Sequence, residues 1–223
     1  MMNNKNKKIV RFIAVALLLL TILLTAMAPI TNAHAKAKVN RQDFHDAMRK
    51  LWEDHITWTR LVIIGAFEDL PDLDPSIQRL LRNQVDIGDA IKPFYGEAAG
   101  DQLTVLLTDH ILIAAEILEA AKNGNAAALE DASERWYANA DDIAAFLNAA
   151  NPEHWPFEEM QMMMREHLDL TLQEAVAYLT GDYESSIAAY DGIHLQALEM
   201  ADMLSEGIIR QFPNKFEGGA NTH

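Results

Sequence analysis

The sequence of 223 residues contains no cysteine, so no disulfide can form, no thiolate can ligate a metal, and a lipid anchor on cysteine is excluded. No glycine-rich phosphate loop and no G-x-S-x-G nucleophile turn occurs, and no strand–helix alternation of the kind that binds nucleotides can be read. Basic side chains are scarce as well, 18 lysines and arginines against 33 acids. Four of those 18, Lys5, Lys7, Lys8 and Arg11, fall in the first 35 residues, which hold no acid, so a chain without that stretch carries about −19. Such a field repels phosphate backbones and anionic lipid, which disfavours nucleic acid and charge-driven membrane binding, and it favours solubility and the attraction of cations.

Residues 1–35 have the pattern of a signal peptide. The basic cluster precedes an apolar run from Phe12 to Ala28, broken by Pro29, and Ala33-His34-Ala35 places small residues where a signal peptidase reads them. Cleavage after Ala35 is the expectation, with secretion or a place on the cell-envelope exterior. The rival is an uncleaved anchor, for which the run is short, since a span wants about 20 apolar residues.

Beyond the signal, apolar residues recur at three and four, and turn signals fall at hairpin spacing. Six helices are predicted. The first runs from near Asn40 to about Phe67. The second is opened by Asp74 as cap with Pro75 at the first helical position and ends near Tyr95. Gly96 and Gly100 flank a connection to a third helix over Asp101–Lys122. Asn123-Gly124-Asn125 leads into a fourth, ending near Ala150; a fifth spans Phe157–Leu179; Gly181-Asp182 turns into a sixth that stops before Pro213. Residues 36–212 thus make one all-α domain, followed by a flexible tail over 213–223.

An internal repeat organises these helices. Asp54-His55-Ile56, Asp109-His110-Ile111 and Glu166-His167-Leu168 return an acid–His–apolar triplet at spacings of 55 and 57, and Asn83, Asn139 and His194 follow at 56 and 55. His55 lies on one stripe with Trp52 and Thr59, His110 with Leu107 and Ala114, His167 with Met164 and Thr171. The architecture expected is three αα-hairpins closed into an up-and-down bundle, with His55, His110, His167, Asn83, Asn139, His194, Thr59 and Thr171 in one buried layer and Asp86 and Asp142 at the same level. Asp86 and Asp142 sit three residues after the two asparagines, whereas the sixth helix has Ala197 in that place.

Three readings of the layer stand side by side. It can be a hydrogen-bonded packing device that fixes the register of similar hairpins. It can be a divalent metal site, with His55, His110, His167 and His194 as ligands and Asp86 or Asp142 as oxygen ligands or as acceptors orienting a histidine. Without thiolates, zinc, manganese or iron fit such a site best, and copper less well, through Met160, Met162, Met163, Met164, Met200 and Met203, which read first as core. Catalysis without a metal is the third, and no catalytic residue can be assigned to it. Metal ligation demands a closed bundle, because metal–nitrogen bonds are about 2 Å long while helices pack roughly 8 to 10 Å apart. Trp52, Trp58, Trp136 and Trp155 read as core or stacking anchors; His45, His154 and His223 fit no pattern.

The runs LWEDHITWTRLVI, RNQVDIGDAIKPFYG, LLTDHI, WYANADDIAAFL, EHLDLT and GIIRQFPNKF resemble a family of small exported all-helical proteins of Gram-positive spore-forming bacteria, over nearly all of residues 36–223. The resemblance implies export. Some members carry transferase names, acetylglutamate kinase or glycosyltransferase, to which the residues give no support. The sequence therefore points to an exported helical bundle with a buried His/Asn/Asp layer that binds a divalent metal. The alternative is a non-catalytic envelope or extracellular interaction protein, of unknown partner, whose layer only specifies packing.

Overall fold

The computed structural model describes residues 38–217. The expected signal peptide, its expected cleavage point after Ala35 and the expected tail beyond Glu217 lie outside the described residues. Six helices follow in order: α1 (Arg41–Glu68), α2 (Leu73–Tyr95), α3 (Glu97–Lys122), α4 (Ala126–Ala150), α5 (Phe157–Leu179) and α6 (Tyr183–Gln211), with one 3₁₀ turn at Pro213–Lys215. Asn40 caps α1 by accepting from the Gln42 and Asp43 amides, Asn125 caps α4 through Ala128, and Asp182 caps α6 through Ser185. Among the described residues no helix is long and apolar enough to cross a membrane.

Each helix packs on its neighbour in sequence, and α6 packs back on α1, so the three hairpins close into a ring. α1 also touches α3 and α5. The core is apolar on both sides of mid-helix, with Met48, Ile87, Leu107, Ile143, Met164 and Met200 toward one end, Ile63, Leu80, Ile111 and Ala175 toward the other. Trp52, Trp136 and Trp155 are buried, while Trp58 is half-buried beneath the Arg79 guanidinium.

Boundaries differ from the sequence expectation in two places. Asp72 rather than Asp74 precedes α2, so Pro75 sits in its third position, where its missing N–H still costs no intrahelical bond. One residue, Gly96 with φ 89°, separates α2 from α3, and Gly100 lies inside α3. A Cβ at Gly88 would stand 2.6 Å from the Gly100 carbonyl oxygen, so α2 and α3 touch backbone to backbone there.

The seam that closes the ring, α6 against α1, is polar along its outer edge. Arg49 grips Asp202 with two bonds of 2.6 Å, His45 reaches the same carboxylate at 2.9 Å, Glu53 meets His194 at 3.1 Å, and Arg60 lies over Tyr190. Beside it the chain ends are tied. The Val39 amide donates to the Lys215 carbonyl and the Glu217 amide to the Val39 carbonyl, both at 2.9 Å. Phe216 is fully buried against Phe44 and Phe94, so the segment expected to begin a flexible tail at 213 stays docked through Glu217.

Gly88→Ala should lower stability by about 1 to 3 kcal/mol in thermal or denaturant unfolding, because the contact with Gly100 outweighs the better helix propensity of alanine.

Candidate functional site: a three-histidine layer

His55, His110 and His167 sit one per hairpin at mid-helix on α1, α3 and α5, each 3 % exposed. The ring centroids of His55 and His167 are 5.8 Å apart, and those of His110 and His167 6.5 Å. The preceding acids of the triplet turn away, as a step of one residue on a helix requires. Asp109 and Glu166 are exposed, and Asp54 binds Lys50 and Arg79.

Every imidazole meets a side-chain amide 29 residues later, across its own hairpin. His110 Nδ1 lies 2.9 Å from Asn139 Oδ1, and His167 Nδ1 lies 3.2 Å from Gln196 Oε1. In both, the amide NH₂ donates at 3.0 Å to a carbonyl four residues before the histidine, Leu106 or Met163. That second bond decides which end of the amide faces the ring. The oxygen does, so Nδ1 carries the proton and donates, and Nε2 is left with its lone pair.

The first hairpin divides these tasks between two residues. Asn83 donates to the Leu51 carbonyl at 3.0 Å, and Gln84 meets His55 Nδ1 at 3.3 Å with its nitrogen, which also donates to Leu80 O at 2.7 Å. The same nitrogen also lies 3.2 Å from Asn83 Oδ1, so the His55 ring meets the longest of its three contacts, and the buried Gln84 Oε1 has no partner. A further bond reaches the carbonyl of each histidine, from Thr59 Oγ1 to His55 (2.8 Å), from Trp136 Nε1 to His110 (3.0 Å) and from Thr171 Oγ1 to His167 (2.8 Å). Ala114 stands where the second hairpin would have its threonine, and Trp136 takes over the bond.

The rings are neutral. Burial holds His55 well below the usual imidazole range, helped by His167 and His110; burial with the nearby His167 pushes His110 down to about 3; burial lowers His167. Two small apolar cavities flank the layer on the axis. One of about 20 Å³ lies among Trp52, Leu107, Ile143, Met164 and Met200, and one of about 40 Å³ among Val62, Leu80, Ile111, Leu118 and Ala175.

Of the residues expected in the layer, His55, His110, His167, Asn83, Asn139, Thr59 and Thr171 are there. His194, Asp86 and Asp142 are not. His194 is a half-exposed partner of Glu53, Asp86 is half-exposed near Arg82, and Asp142 is exposed. Gln84 and Gln196, which the layer uses, form with Asn139 a series at 55 and 57 like the histidines themselves, a match stronger than the one offered by Asn83 and His194. Among the described residues no three histidine, aspartate or glutamate side chains are grouped so as to hold a metal ion. Met160, Met163, Met164 and Met200 are buried core, Met203 is half-buried, and Met162 is exposed.

A second buried polar group, invisible in the repeat, lies off the axis. The Glu174 carboxyl, 1 % exposed, accepts from Arg60 Nη1 at 2.5 Å, with Ser186 behind the guanidinium. Burial pushes its pKa up to about 7 against the opposing pull of Arg60. The corresponding positions of the first two hairpins, Val62 and Ile117, are apolar, so periodicity gave no sign of it.

His110→Leu alone should destabilise by about 1 to 3 kcal/mol, because it strands Asn139 Oδ1 in the core. Adding Asn139→Leu should recover part of that loss, and a double-mutant cycle in urea measures the coupling. No family model, curated protein or solved structure matches the chain.

Proposed function

We propose that the chain is a non-catalytic exported interaction or structural protein whose histidine layer serves to lock three similar hairpins in register. One observation carries this reading. The Nδ1 of each imidazole is engaged by an amide of its own hairpin, and the second end of that amide arrangement is tied to the carbonyl one turn before the histidine. A hairpin slipped by one residue would leave an imidazole, an amide and a carbonyl unpaired in an apolar interior, so a polar layer penalises wrong registers more than an apolar one could.

The chemistry of the layer supports the same reading. Its members are neutral amides and imidazoles, no carboxylate stands among them to balance a divalent ion, and the flanking cavities are apolar and close to the size of one water molecule, too small for a substrate. The signal-like residues 1–35 and the family resemblance support export.

The test is made on untagged protein recovered from the medium of an expressing Gram-positive host. Amino-terminal sequencing should begin at Lys36. Elemental analysis after incubation with zinc, manganese, iron and copper salts should find no stoichiometric metal, and chelator should leave the melting temperature unchanged. A near-stoichiometric ion that disappears in His110→Ala/His167→Ala protein would overturn the packing reading in favour of metal binding.

A further inference from the structure

The layer joins three imidazoles and encloses no countercharge. Around them α2 contributes Asn83 and Gln84, α4 Asn139 and Trp136, and α6 Gln196, all neutral. The charged groups of the same helices are directed elsewhere. On α1, Asp54 pairs with Lys50 and Arg79, and Glu53 with His194; on α2, Asp86 lies by Arg82; on α3, Asp109 is exposed; on α4, Asp142 is exposed. On α5, Glu166 is exposed, Asp169 is exposed and accepts from the Tyr137 hydroxyl, and the buried Glu174, two turns beyond His167, is already bound by Arg60; on α6, Asp191 and Glu199 are exposed. A proton arriving on any one ring therefore finds two further rings and several amides, and no carboxylate.

We propose that the layer is an acid-operated latch: protonation of its imidazoles forces the three hairpins apart at the axis, so that acidification opens the bundle from its centre. The inference rests on the packing reading and adds a regulatory consequence to it. A buried cation without a partner is costly enough that the fold admits water instead of retaining the charge. The first protonation also raises the cost of the second, since the rings lie only 5.8 and 6.5 Å apart, and the strain is relieved for all three once water enters. The direction follows from linkage. The folded rings resist protonation while the unfolded ones accept it near pH 6.5, so the stabilisation is complete above about that pH and is lost progressively as the pH falls from there toward the lowered pKa values of the folded rings. Glu174 acts oppositely, because its raised pKa makes the folded chain the better proton binder between about 4.5 and 7. Aspartates with lowered pKa, Asp141 and Asp202, come into play only at more acid pH.

The fold carries its own reporters, since Trp52 lies edge-on to His55 at 5.7 Å and Trp136 packs on His110 at 5.1 Å. Urea unfolding of the full chain is followed by tryptophan fluorescence from pH 8 to pH 4.5, beside His110→Gln and a His55→Gln/His110→Gln/His167→Gln variant. The wild type should lose stability steeply below about pH 6.5, with a slope corresponding to two or three protons; His110→Gln should reduce that by about one, and the triple variant should flatten the profile above pH 5. An unchanged slope in the variants, or a wild type equally stable at pH 8 and pH 5, would overturn the proposal. If the triple variant does not fold, the titration of ring protons by NMR in the wild type decides. Three rings that remain neutral until the fold is lost support the latch, and rings that titrate near 6.5 with the fold intact overturn it. A bound metal would sink the packing reading itself, which elemental analysis detects separately.

Discussion

The bond between a buried imidazole Nδ1 and an amide on the returning helix is the constraint around which this fold is organised. Apolar side chains alone would allow six amphipathic helices to pack in many near-equivalent ways, since leucine, isoleucine, alanine and methionine stripes slide past one another at little cost. A donor and an acceptor that must meet 29 residues apart remove that freedom once per hairpin. Closure of the ring then brings the three pairs to one level, and the apolar cavities on either side separate the polar plane from the rest of the core.

The three hairpins meet this constraint with different residues. Asn139 and Gln196 each perform both tasks, facing the ring with oxygen and the backbone with nitrogen, although one side chain is a methylene longer than the other. Asn83 and Gln84 divide the tasks, which turns an amide nitrogen in place of an oxygen toward His55 and leaves Gln84 Oε1 unpaired. The carbonyl of each histidine is satisfied twice by threonine and once by tryptophan. What is repeated is therefore the set of bonds, and the side chains that make them have diverged around it.

That divergence explains what the sequence disclosed. The six helices, their antiparallel succession and the burial of His55, His110 and His167 were legible, because each histidine interrupts an apolar stripe at the same phase and short links leave the next helix no other direction. Asn139 was legible for the same reason. Gln84 and Gln196 are hidden by residue type, which favours Asn83 and His194, and are marked only by their constant offset of 29 from each histidine. His194 lies two residues out of phase with Gln196, Asp86 two after Gln84 and Asp142 three after Asn139, so their spacing in sequence matches the repeat while their direction does not. Glu174 and Arg60 could not be found by repetition at all, since they occur in one hairpin only. The docking of Phe216 depends on an aromatic cluster formed with Phe44 and Phe94 from two distant helices, a contact that no local pattern reports.

The tie between Val39 and the segment Lys215–Glu217 places the beginning and the end of the described chain side by side, at the seam where α6 returns to α1. A ring of three like units whose ends adjoin has no intrinsic first member. The same contacts would arise if the helical segment were opened at the turn before α3 or before α5 and Val39 were linked to Glu217 by a few residues. The helical ring is thus cyclic in its contacts, and its linear order is set by which turn is left open.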